Sequence, residues 1–456
     1  MKTIKLIGMV CAVSAALVMT SSKAYAETKS WYEKDDTWYL SNASNEWSKS
    51  GDSWYYALSD GKMAVNTVIS EDNDLYYVGE DGHMFHNEWK KLSTKYGDKW
   101  MFFGNDGRAV KAKSDKTKLI EVNGKDYIFD ENGYMLHGWV DEYGDSIGSD
   151  EWENGVYYCG SADDGSVSTG WRNIDVDTDN EDYQGHYWFY FGTNGKKVTD
   201  KYSYNVNGKK YAFDENGVMK HGFQDVYAAT PANASKVDTY MYYGEYDDGA
   251  NARNSWFKTT PSEDIHPDCD ERWFYAGSDG SLKASEIATV KGKKYAFNEY
   301  GEMLYGLVGL KTDAENKVIL DYTDELLTVY DISKAVEKGY TIYYFHDEDD
   351  GHMEKGNVTI ELDGEKYRFR FSNSGSVSGD YKGYLYANGY ICKADKGERY
   401  AMYEKDGDKT TVVGTAILVD ESGRIQKSKT NLKDSDEIYY CTDSNGVVTY
   451  RSTSKQ

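Results

Sequence analysis

The sequence predicts an all-β protein built of stacked, aromatic-rich β-hairpin repeats, with one short helical insertion. Three observations lead to this fold class: a stretch that recurs at a fixed spacing, the regular alternation of strand and turn signals, and the composition. The 456 residues include 43 Tyr, 14 Phe and 12 Trp beside 44 Gly, but only 3 Pro. This composition favours many aromatic strands joined by glycine turns.

The repeat is clearest in three copies, which read GKDYIFDENGYMLHG from Gly124, GKKYAFDENGVMKHG from Gly208 and GKKYAFNEYGEMLYG from Gly292. Their starts are 208 − 124 = 84 and 292 − 208 = 84 residues apart. In the middle copy Tyr211 and Phe213 alternate with polar or small residues, which is the period of a strand with one apolar face. Asn216-Gly217 predicts a tight turn, followed by a short return strand that carries Met219.

Turn glycines group the hairpins into modules of about 84 residues, each with three hairpins. The first hairpins carry Gly61, Gly133, Gly217 and Gly301; the second carry Gly82, Gly165, Gly249 and Gly351; the third carry Gly107, Gly195, Gly280 and Gly375. We expect regular modules over residues 27–306, an insertion over 307–340 and degenerate repeats over 341–456. Within the insertion, the spacing of apolar residues from Asp324 to Lys338 predicts one short helix, which Gly339 would end.

Residues 1–26 have the pattern of a secretory signal peptide. Lys2 and Lys5 precede an apolar stretch, and Ala24-Tyr25-Ala26 is a small-x-small cleavage site. No later run approaches the roughly 20 apolar residues of a membrane span. We therefore expect a secreted protein without a membrane span, located in the medium or at the cell surface.

The charge argues against two classes of partner. The net charge is −25, and removal of the three lysines of residues 1–26 leaves −25 − 3 = −28. This charge disfavours nucleic acid and anionic lipid as partners. Four cysteines remain in the mature chain, far apart and without CxxC spacing: Cys159, Cys269, Cys392 and Cys441. We expect free or buried thiols rather than a disulfide framework, with a Cys392–Cys441 pair left open.

No catalytic motif is found. The chain lacks G-x-S-x-G, H-E-x-x-H and Walker patterns, and His221 occupies a hairpin position that holds Tyr305 in the next copy. Asp175, Asp177 and Asp179 have the spacing of a calcium loop, but the glycine and the bidentate glutamate of such a loop are missing. The sequence therefore predicts a protein that is not an enzyme, with no catalytic residues, metal site or cofactor.

The pattern Gly-Trp, Gly-x-Trp-Tyr-Tyr, Gly-x-Met resembles the cell-wall-binding repeats of Gram-positive surface proteins. GDSWYYALSDGKM (Gly51 to Met63), Gly170-Trp171 and GKKYAFDENGVMKHGF (Gly208 to Phe223) carry the resemblance. That family includes choline-binding repeats, glucan-binding repeats and the receptor-binding repeats of clostridial toxins. The resemblance implies a β-solenoid of stacked hairpins. Phe223 and Leu307 depart from it, because each replaces the tryptophan of Gly-Trp.

The resemblance also implies where a ligand lies: between successive hairpins, against the Gly-Trp tryptophan and the aromatic residue that opens the next hairpin. The candidate ligand-binding residues are Trp89 with Trp100, Trp171 with Trp188, Trp256 with Trp273, and Trp139 with Tyr157. The Trp–Trp pairs occur in all three modules. The position of Trp139, in contrast, is occupied by Phe223 and Leu307 in the later modules. Packing of large rings alone would equally explain aromatic residues at repeat positions.

The function predicted from these observations is that of a secreted, non-catalytic protein that binds cell-wall polymer. The ligand is either the choline of teichoic acid or a wall glycan. Aromatic rings with acidic residues nearby suit choline, whereas aromatic rings with polar side chains nearby suit a sugar. One alternative is an adhesin or toxin-like module that binds host glycans. A second is a surface protein that self-associates into homo-oligomers through its hairpin edges, and a cryptic glycan hydrolase is the third.

Overall fold

A computed structural model of the chain describes residues 29–112, 117–176, 185–226, 235–315, 317–324 and 326–456. The predicted signal peptide lies outside these residues. Strands dominate the part described, so the all-β prediction is confirmed. Two compact units are found: the first contains the described residues up to Gly170 with Val176, Gly185 and Phe191–Lys197, and the second contains Trp171–Asp175, His186–Tyr190 and Val198–Gln456.

Consecutive strands of the first unit pair as antiparallel two-stranded sheets. The strands are β1 (Trp31–Lys34), β2 (Thr37–Leu40), β3 (Glu46–Ser50), β4 (Ser53–Ala57), β5 (Thr67–Glu71), β6 (Asp74–Val78), β7 (Glu88–Thr94), β8 (Gly97–Phe103), β9 (Ile120–Val122), β10 (Lys125–Tyr127), β11 (Gly138–Val140) and β12 (Tyr157–Cys159). A 3₁₀ helix at Ser149–Asn154, absent from the sequence prediction, precedes β12 and buries Trp152 completely.

The same pairing continues through the next ten strands. These are β13 (Gly170–Val176), β14 (Gly185–Phe191), β15 (Lys201–Val206), β16 (Lys209–Phe213), β17 (Phe223–Asp225), β18 (Tyr240–Tyr242), β19 (Ser255–Thr259), β20 (Arg272–Ala276), β21 (Glu286–Val290) and β22 (Lys293–Phe297).

The tight hairpin turn comes before the strand that contains Tyr211 and Phe213, whereas the sequence analysis predicted it after that strand. At Asn207-Gly208, between β15 and β16, both residues have positive φ (51° and 86°), the requirement of the two-residue turns that match strand twist. At the predicted turn only Gly217 has positive φ, at 87°. There the Asp214 carboxylate accepts hydrogen bonds from the backbone N–H groups of Asn216 and Val218. The expected return strand is a single bridge between Phe213 and Met219.

That short return ties each hairpin to the one before it, because a residue just after the turn donates its backbone N–H to the second strand of the preceding hairpin. In the first unit these bonds run from Met63 to Trp38 (2.8 Å), Met84 to Trp54 (2.8 Å), Ala109 to Leu75 (2.7 Å) and Met135 to Trp100 (2.8 Å). In the second they run from Met219 to Trp188, Asn251 to Lys210 and Met303 to Trp273, all 2.8 Å. The hairpins therefore stack within each unit, while a single continuous solenoid stays a prediction.

Aromatic side chains fill the space between stacked hairpins. Phe213 and its counterpart Phe297 are completely buried, and Tyr211 and Met219 are almost so, as the strand pattern predicts. Burying one such side chain contributes roughly 1.5–3 kcal/mol. A hairpin too small to have its own core thus obtains one from its neighbours.

The predicted insertion contains two strands and a helix. Strand β23 (Gly306–Thr312) pairs with both β24 (Ile319–Thr323) and β25 (Thr341–Phe345), and helix α1 (Val329–Glu337) lies between β24 and β25. The helix begins later than predicted because Thr328 and Asp331 form a capping box at its start. Its Ile332 is buried against Leu307.

Beyond residue 355, larger sheets accompany a two-stranded one, and the degenerate repeats expected there stay a prediction. A six-stranded sheet contains β26 (Gly356–Leu362), β27 (Glu365–Ser372), β28 (Gly375–Ser376), β29 (Gly379–Tyr381), β30 (Tyr384–Ala387) and β31 (Tyr390–Ile391). It is followed by β32 (Tyr400–Tyr403), β33 (Ile417–Asp420), β34 (Leu432–Lys433), β35 (Tyr439–Thr442) and β36 (Val448–Ser452). Cys159, Cys269, Cys392 and Cys441 are free thiols, as predicted.

Candidate functional site

The three predicted Trp–Trp pairs share one geometry. Their rings are nearly perpendicular, with centroids 6.4 Å apart at 84° for Trp89–Trp100, 6.4 Å at 85° for Trp171–Trp188, and 6.5 Å at 83° for Trp256–Trp273. All six side chains are partly exposed. Both members of a pair belong to the same hairpin rather than to successive ones, since β7 pairs with β8 and β19 with β20.

Strand register explains the perpendicular arrangement. Trp89 lies opposite Phe102, and Trp100 lies opposite Lys91, so the two tryptophans are diagonal neighbours on one face of the hairpin. Diagonal positions remain within reach of large rings. The same offset places Trp256 opposite Tyr275 and Trp273 opposite Lys258.

A tyrosine from the next hairpin forms a third wall. The ring centroids are 4.9 Å apart for Trp89–Tyr127, 4.8 Å for Trp171–Tyr211 and 4.8 Å for Trp256–Tyr295, each edge to face. All three tyrosines are buried. Burial raises the pKa of Tyr211 and of Tyr295, so these walls stay uncharged at neutral pH.

An aspartate completes each site. The carboxylate accepts a hydrogen bond from the indole Nε1 of the second tryptophan, at 3.2 Å for Trp100–Asp163, 3.1 Å for Trp188–Asp247 and 3.4 Å for Trp273–Asp349. We name the resulting groups cage 1 (Trp89, Trp100, Tyr127, Asp163), cage 2 (Trp171, Trp188, Tyr211, Asp247) and cage 3 (Trp256, Trp273, Tyr295, Asp349). Each contains three rings and one negative charge.

An Asp-Asp-Gly loop delivers each aspartate. These loops are residues 163–165, 247–249 and 349–351. The second aspartate of each pairs with a lysine, at 3.0 Å for Asp164–Lys125, 3.2 Å for Asp248–Lys209 and 3.4 Å for Asp350–Lys293. The lysine precedes the cage tyrosine by two residues, so the pair links the loop to the strand that bears the third wall.

The loop glycine allows close approach of the loop to the hairpin below it. Gly249 has a φ of 57°, and a Cβ there would lie 2.4 Å from the Met219 Cε. Gly165 over Met135 and Gly351 over Met303 show the same fit, at 2.3 Å each. Met135 also lines the opening of cage 1, a pocket of about 220 Å³.

The cages differ at the position two residues after the first tryptophan, which is Lys91, Asn173 or Lys258. In cage 1 the Lys91 Nζ lies 3.0 Å from the Asp163 Oδ1 and 5.7 Å from the centroid of the Trp100 ring. The hydrogen bond from Lys91, followed by that from Trp100, lowers the pKa of the Asp163 carboxyl. A protein ammonium group thus already contacts both the carboxylate and the ring.

Cage 3 has a lysine at the same position, whereas cage 2 has an asparagine. The Lys258 Nζ lies 3.2 Å from the Glu348 Oε1 and 3.7 Å from the Asp349 Oδ1. Cage 2 has Asn173 instead, exposed at its strand position. Within the described residues, Asp247 forms no ion pair with a lysine or arginine. Among the residues that the structure describes, cage 2 is therefore the one of these three sites whose aspartate has no lysine or arginine against it.

Trp139 and Tyr157, the fourth predicted pair, are buried rather than open. Trp139 is 4% exposed, and its ring centroid lies 5.0 Å from that of Tyr158. The Lys197 Nζ lies 5.1 Å from the Trp139 centroid. Tyr157 pairs with Val140 in the register of β11 and β12, and burial raises the pKa of its hydroxyl. This junction is filled by side chains of the protein itself.

Two parts of each cage were not assigned from the sequence: the tyrosine, which was interpreted as core, and the Asp-Asp-Gly loop. A signal was present, since the Asp-Asp-Gly triplet recurs at the second-hairpin glycines Gly165, Gly249 and Gly351 and is absent at Gly82. Of the aspartates with calcium-loop spacing, Asp177 and Asp179 lie outside the described residues. Among those described, no helix is long and apolar enough to cross a membrane.

Sequence comparison finds both a repeat family and longer relatives. A family profile described as a choline-binding repeat matches residues 41–83. Glucosyltransferase-I of Streptococcus downei is 24% identical over 320 residues, covering 64% of this chain and 18% of the relative. Glucosyltransferase-S of Streptococcus mutans is 25% identical over 169 residues, covering 37% of this chain and 10% of the relative. The chain thus spans less than a fifth of the length of these curated relatives.

Structural comparison finds proteins of Streptococcus pneumoniae at low similarity. CbpJ has a TM-score of 0.40 and 15% identity over 77% of this chain and 100% of its own. The modular autolysin LytC, solved in complex with a synthetic peptidoglycan ligand, has a TM-score of 0.35 and 20% identity over 60% of this chain and 52% of its own. The match to a choline-binding repeat thus covers residues 41–83, and the β-hairpins of this chain continue well beyond that match.

Proposed function

We propose that this chain is a secreted, non-catalytic protein that attaches to cell-wall polymer by holding choline groups in its aromatic cages. The observation that supports this most is the recurrence of three rings and one carboxylate in a single arrangement, at cages 1, 2 and 3. Packing alone would need the rings but not an aspartate against the indole edge of each cage.

The chemistry of the cage suits a quaternary ammonium. Such a cation over a tryptophan face gains about 0.5–1 kcal/mol when exposed and about 2 kcal/mol or more when desolvated. The trimethylammonium group has no N–H to donate, so it requires ring faces and a nearby negative charge rather than a hydrogen-bond acceptor at a fixed angle. Asp163, Asp247 and Asp349 supply that charge, and a net charge of −25 attracts cations from a distance.

Cage 2 is the strongest site in this proposal. In cage 1 the ammonium of Lys91 contacts the ring and the carboxylate that choline would use, and in cage 3 Lys258 lies against the carboxylate. A ligand must displace these lysines, whereas Asn173 in cage 2 leaves Asp247 open. Weak binding at cages 1 and 3 would still add to attachment, because several sites on one chain engage one polymer.

A glucan is the second candidate ligand, favoured by the similarity of 64% of this chain to part of a glucosyltransferase. A sugar would stack its C–H face on an exposed tryptophan and bond to nearby side chains. In this case the perpendicular second ring and the carboxylate would contribute less than they do for choline. Binding of host glycans is a variant of this second candidate with another source of sugar.

The test is a titration of intrinsic tryptophan fluorescence in the mature chain, with choline and with purified wall glycan in parallel. We expect choline to shift the emission, and the double variant Trp171→Ala, Trp188→Ala to weaken that shift. Trp54→Phe is the control, since Trp54 is 42% exposed and belongs to none of the cages.

A response to wall glycan alone would replace choline by the carbohydrate candidate. A response only to host glycans would favour an adhesin. If no ligand changes the fluorescence of the folded chain, and its mass in solution shows an oligomer, the self-associating alternative is favoured. Turnover of wall polymer by the purified chain would contradict the non-catalytic part of the proposal.

A further inference from the structure

The third module contains a side-chain cluster formed by His266, Cys269 and Glu302. Residues 260–271 connect β19 to β20, whereas the corresponding connection between β7 and β8 has only residues 95 and 96. This longer connection carries His266 and Cys269. Both lie against Glu302, which precedes Met303 at the position held by Tyr134 and Val218 in the other copies. Three departures from the repeat thus meet at one place.

The donor atoms of these three side chains converge. The His266 Nδ1 lies 2.6 Å and the Cys269 Sγ 3.5 Å from the same Glu302 Oε1, and all three donors lie within 4.8 Å of one another. The second oxygen of Glu302 accepts a hydrogen bond from the Asn298 Nδ2 at 2.8 Å. The His266 ring stacks on Tyr300 at 4.1 Å and 10°, which holds its orientation.

Burial makes the carboxylate the unusual member of the cluster. Glu302 is 5% exposed, and a buried carboxylate requires a cation, a metal or a proton. Among the described residues, the ion-pair partner of Glu302 is His266, and a histidine supplies a positive charge only when it is protonated. His266 and Glu302 also line a cavity of about 230 Å³, so a small ion has a route to them.

We propose that His266, Cys269 and Glu302 form a binding site for a divalent transition metal, with Zn²⁺ as the preferred ion. Thiolate, imidazole and carboxylate are the donors of protein zinc sites, and three protein ligands leave a fourth position for water or another donor. Ligands about 2.0–2.3 Å from a tetrahedral zinc lie roughly 3.3–3.7 Å from one another. The Sγ–Oε1 distance already fits, and the distance between His266 Nδ1 and Glu302 Oε1 would increase by about 0.7 Å.

The site would anchor the long β19–β20 connection to the following hairpin. Trp256 and Trp273 of cage 3 lie on the strands that this connection joins, so the metal would act on stability near the cage rather than in it. The proposal is independent of choline binding.

The experiment uses the mature full chain, freed of metal by chelation, and two probes. Co²⁺ is titrated while the visible absorbance is recorded, and Zn²⁺ is titrated in competition with a chromophoric chelator. We expect one equivalent of metal per chain, with thiolate-to-Co²⁺ charge-transfer absorbance. Saturating Zn²⁺ should raise the melting temperature, since a ligand that binds only the folded state stabilises it.

Two variants assign the ligands. Cys269→Ser should abolish the charge-transfer band. Glu302→Val, which installs the residue of the second module, removes one ligand of three and should weaken Zn²⁺ binding by more than the roughly 10-fold that the loss of an outer-shell partner costs. Asp268→Asn is the control, since it removes a charge from the same connection without removing a donor. Choline titrations should be unchanged in all three variants.

The proposal is overturned if the chain binds less than a stoichiometric equivalent, or if binding survives both Cys269→Ser and Glu302→Val. Loss of folding in Glu302→Val, seen by circular dichroism, would leave the decision to Cys269→Ser and its absorbance band. An unchanged melting temperature with bound metal would contradict the anchoring role.

Discussion

Cages 1 and 2 present the same three rings and the same carboxylate, yet they differ in what already contacts that carboxylate. In cage 1 the Lys91 ammonium lies 3.0 Å from Asp163, and in cage 2 the corresponding position is Asn173. The ring geometry is nearly identical, at 6.4 Å and 84° against 6.4 Å and 85°. The repeat therefore keeps the shape of the site, while the strand position two residues after the first tryptophan changes its electrostatics.

Cage 3 extends the comparison. It repeats the rings at 6.5 Å and 83° and has Lys258 at the variable position. Lys258 lies nearer to Glu348 than to the cage aspartate. Its interaction with the cage carboxylate is therefore weaker than that of Lys91. The three sites thus form a graded series, which we expect to bind a cationic ligand in the order cage 2, cage 3, cage 1.

The largest effect is expected from Gly249→Ala, which disturbs the loop that carries Asp247. Alanine at a φ of 57° with a Cβ 2.4 Å from Met219 should cost about 2–4 kcal/mol of unfolding free energy. Gly208→Ala is the matched control, since its φ is 86° but nothing lies within 4 Å of its Cβ. Urea unfolding measures both variants, and equal losses would show that the contact with Met219 is readily relieved.

The next effect concerns binding. Trp188→Ala should weaken choline binding to the strongest site about 30-fold, equivalent to about 2 kcal/mol of lost cation–π contact. Trp100→Ala, the same change in cage 1, should alter the overall affinity little because Lys91 already occupies that site. Isothermal titration calorimetry with choline checks both variants. Equal losses in the two would contradict the ranking of the cages.

A smaller effect is expected from exchanging the variable position. Asn173→Lys should lower the affinity of cage 2 for choline about 10-fold, because an internal ammonium then competes for the ring and the carboxylate. Lys91→Asn should add a second strong site and raise the measured stoichiometry. Asn173→Gln controls for side-chain size. The competition model is wrong if Asn173→Lys and Asn173→Gln bind alike.

The smallest effect is on acid titration in cage 1. The pKa of Asp163 is lowered by its bonds to Lys91 and Trp100, so this carboxylate stays charged as the pH falls below its ordinary value of 3.8. Any stability from the pair is therefore present above that value and is lost only when the pH falls through the lower folded pKa. Carboxyl NMR should show an upward shift of the Asp163 pKa in Lys91→Asn. An unchanged titration midpoint would contradict the contact between Lys91 and Asp163.

Much of the fold followed from local pattern. The alternation of Tyr211 and Phe213 and the asparagine–glycine pairs predicted aromatic hairpins, which were confirmed, because strand faces and turns depend on a few adjacent residues. The position of the hairpin turn was predicted wrongly. Asn207-Gly208 and Asn216-Gly217 look alike in sequence, but hydrogen bonds to Asp214 give the turn at Asn216-Gly217 a different conformation.

The candidate sites divide in the same way. The three Trp–Trp pairs were predicted, and the structure brings each pair together; their role as ligand contacts stays a prediction. Trp139 has the same Gly-Trp signature, yet Trp152 and Tyr158 surround it. The sequence SDEWEN of the 3₁₀ helix that supplies Trp152 does not recur in the later modules, so its packing could not be predicted from the repeat pattern.

The sequence by itself determined the module, the strand faces and the place of each tryptophan, because these depend on residues a few positions apart. Only the tertiary structure decided which carboxylate meets each ring, since Trp100 and Asp163 are 63 residues apart, Trp188 and Asp247 59, and Trp273 and Asp349 76. The meeting of His266 and Cys269 with Glu302 was decided in the same way. Such contacts arise from the stacking of one hairpin on another, and stacking is set by packing across the whole module rather than by any short stretch of chain.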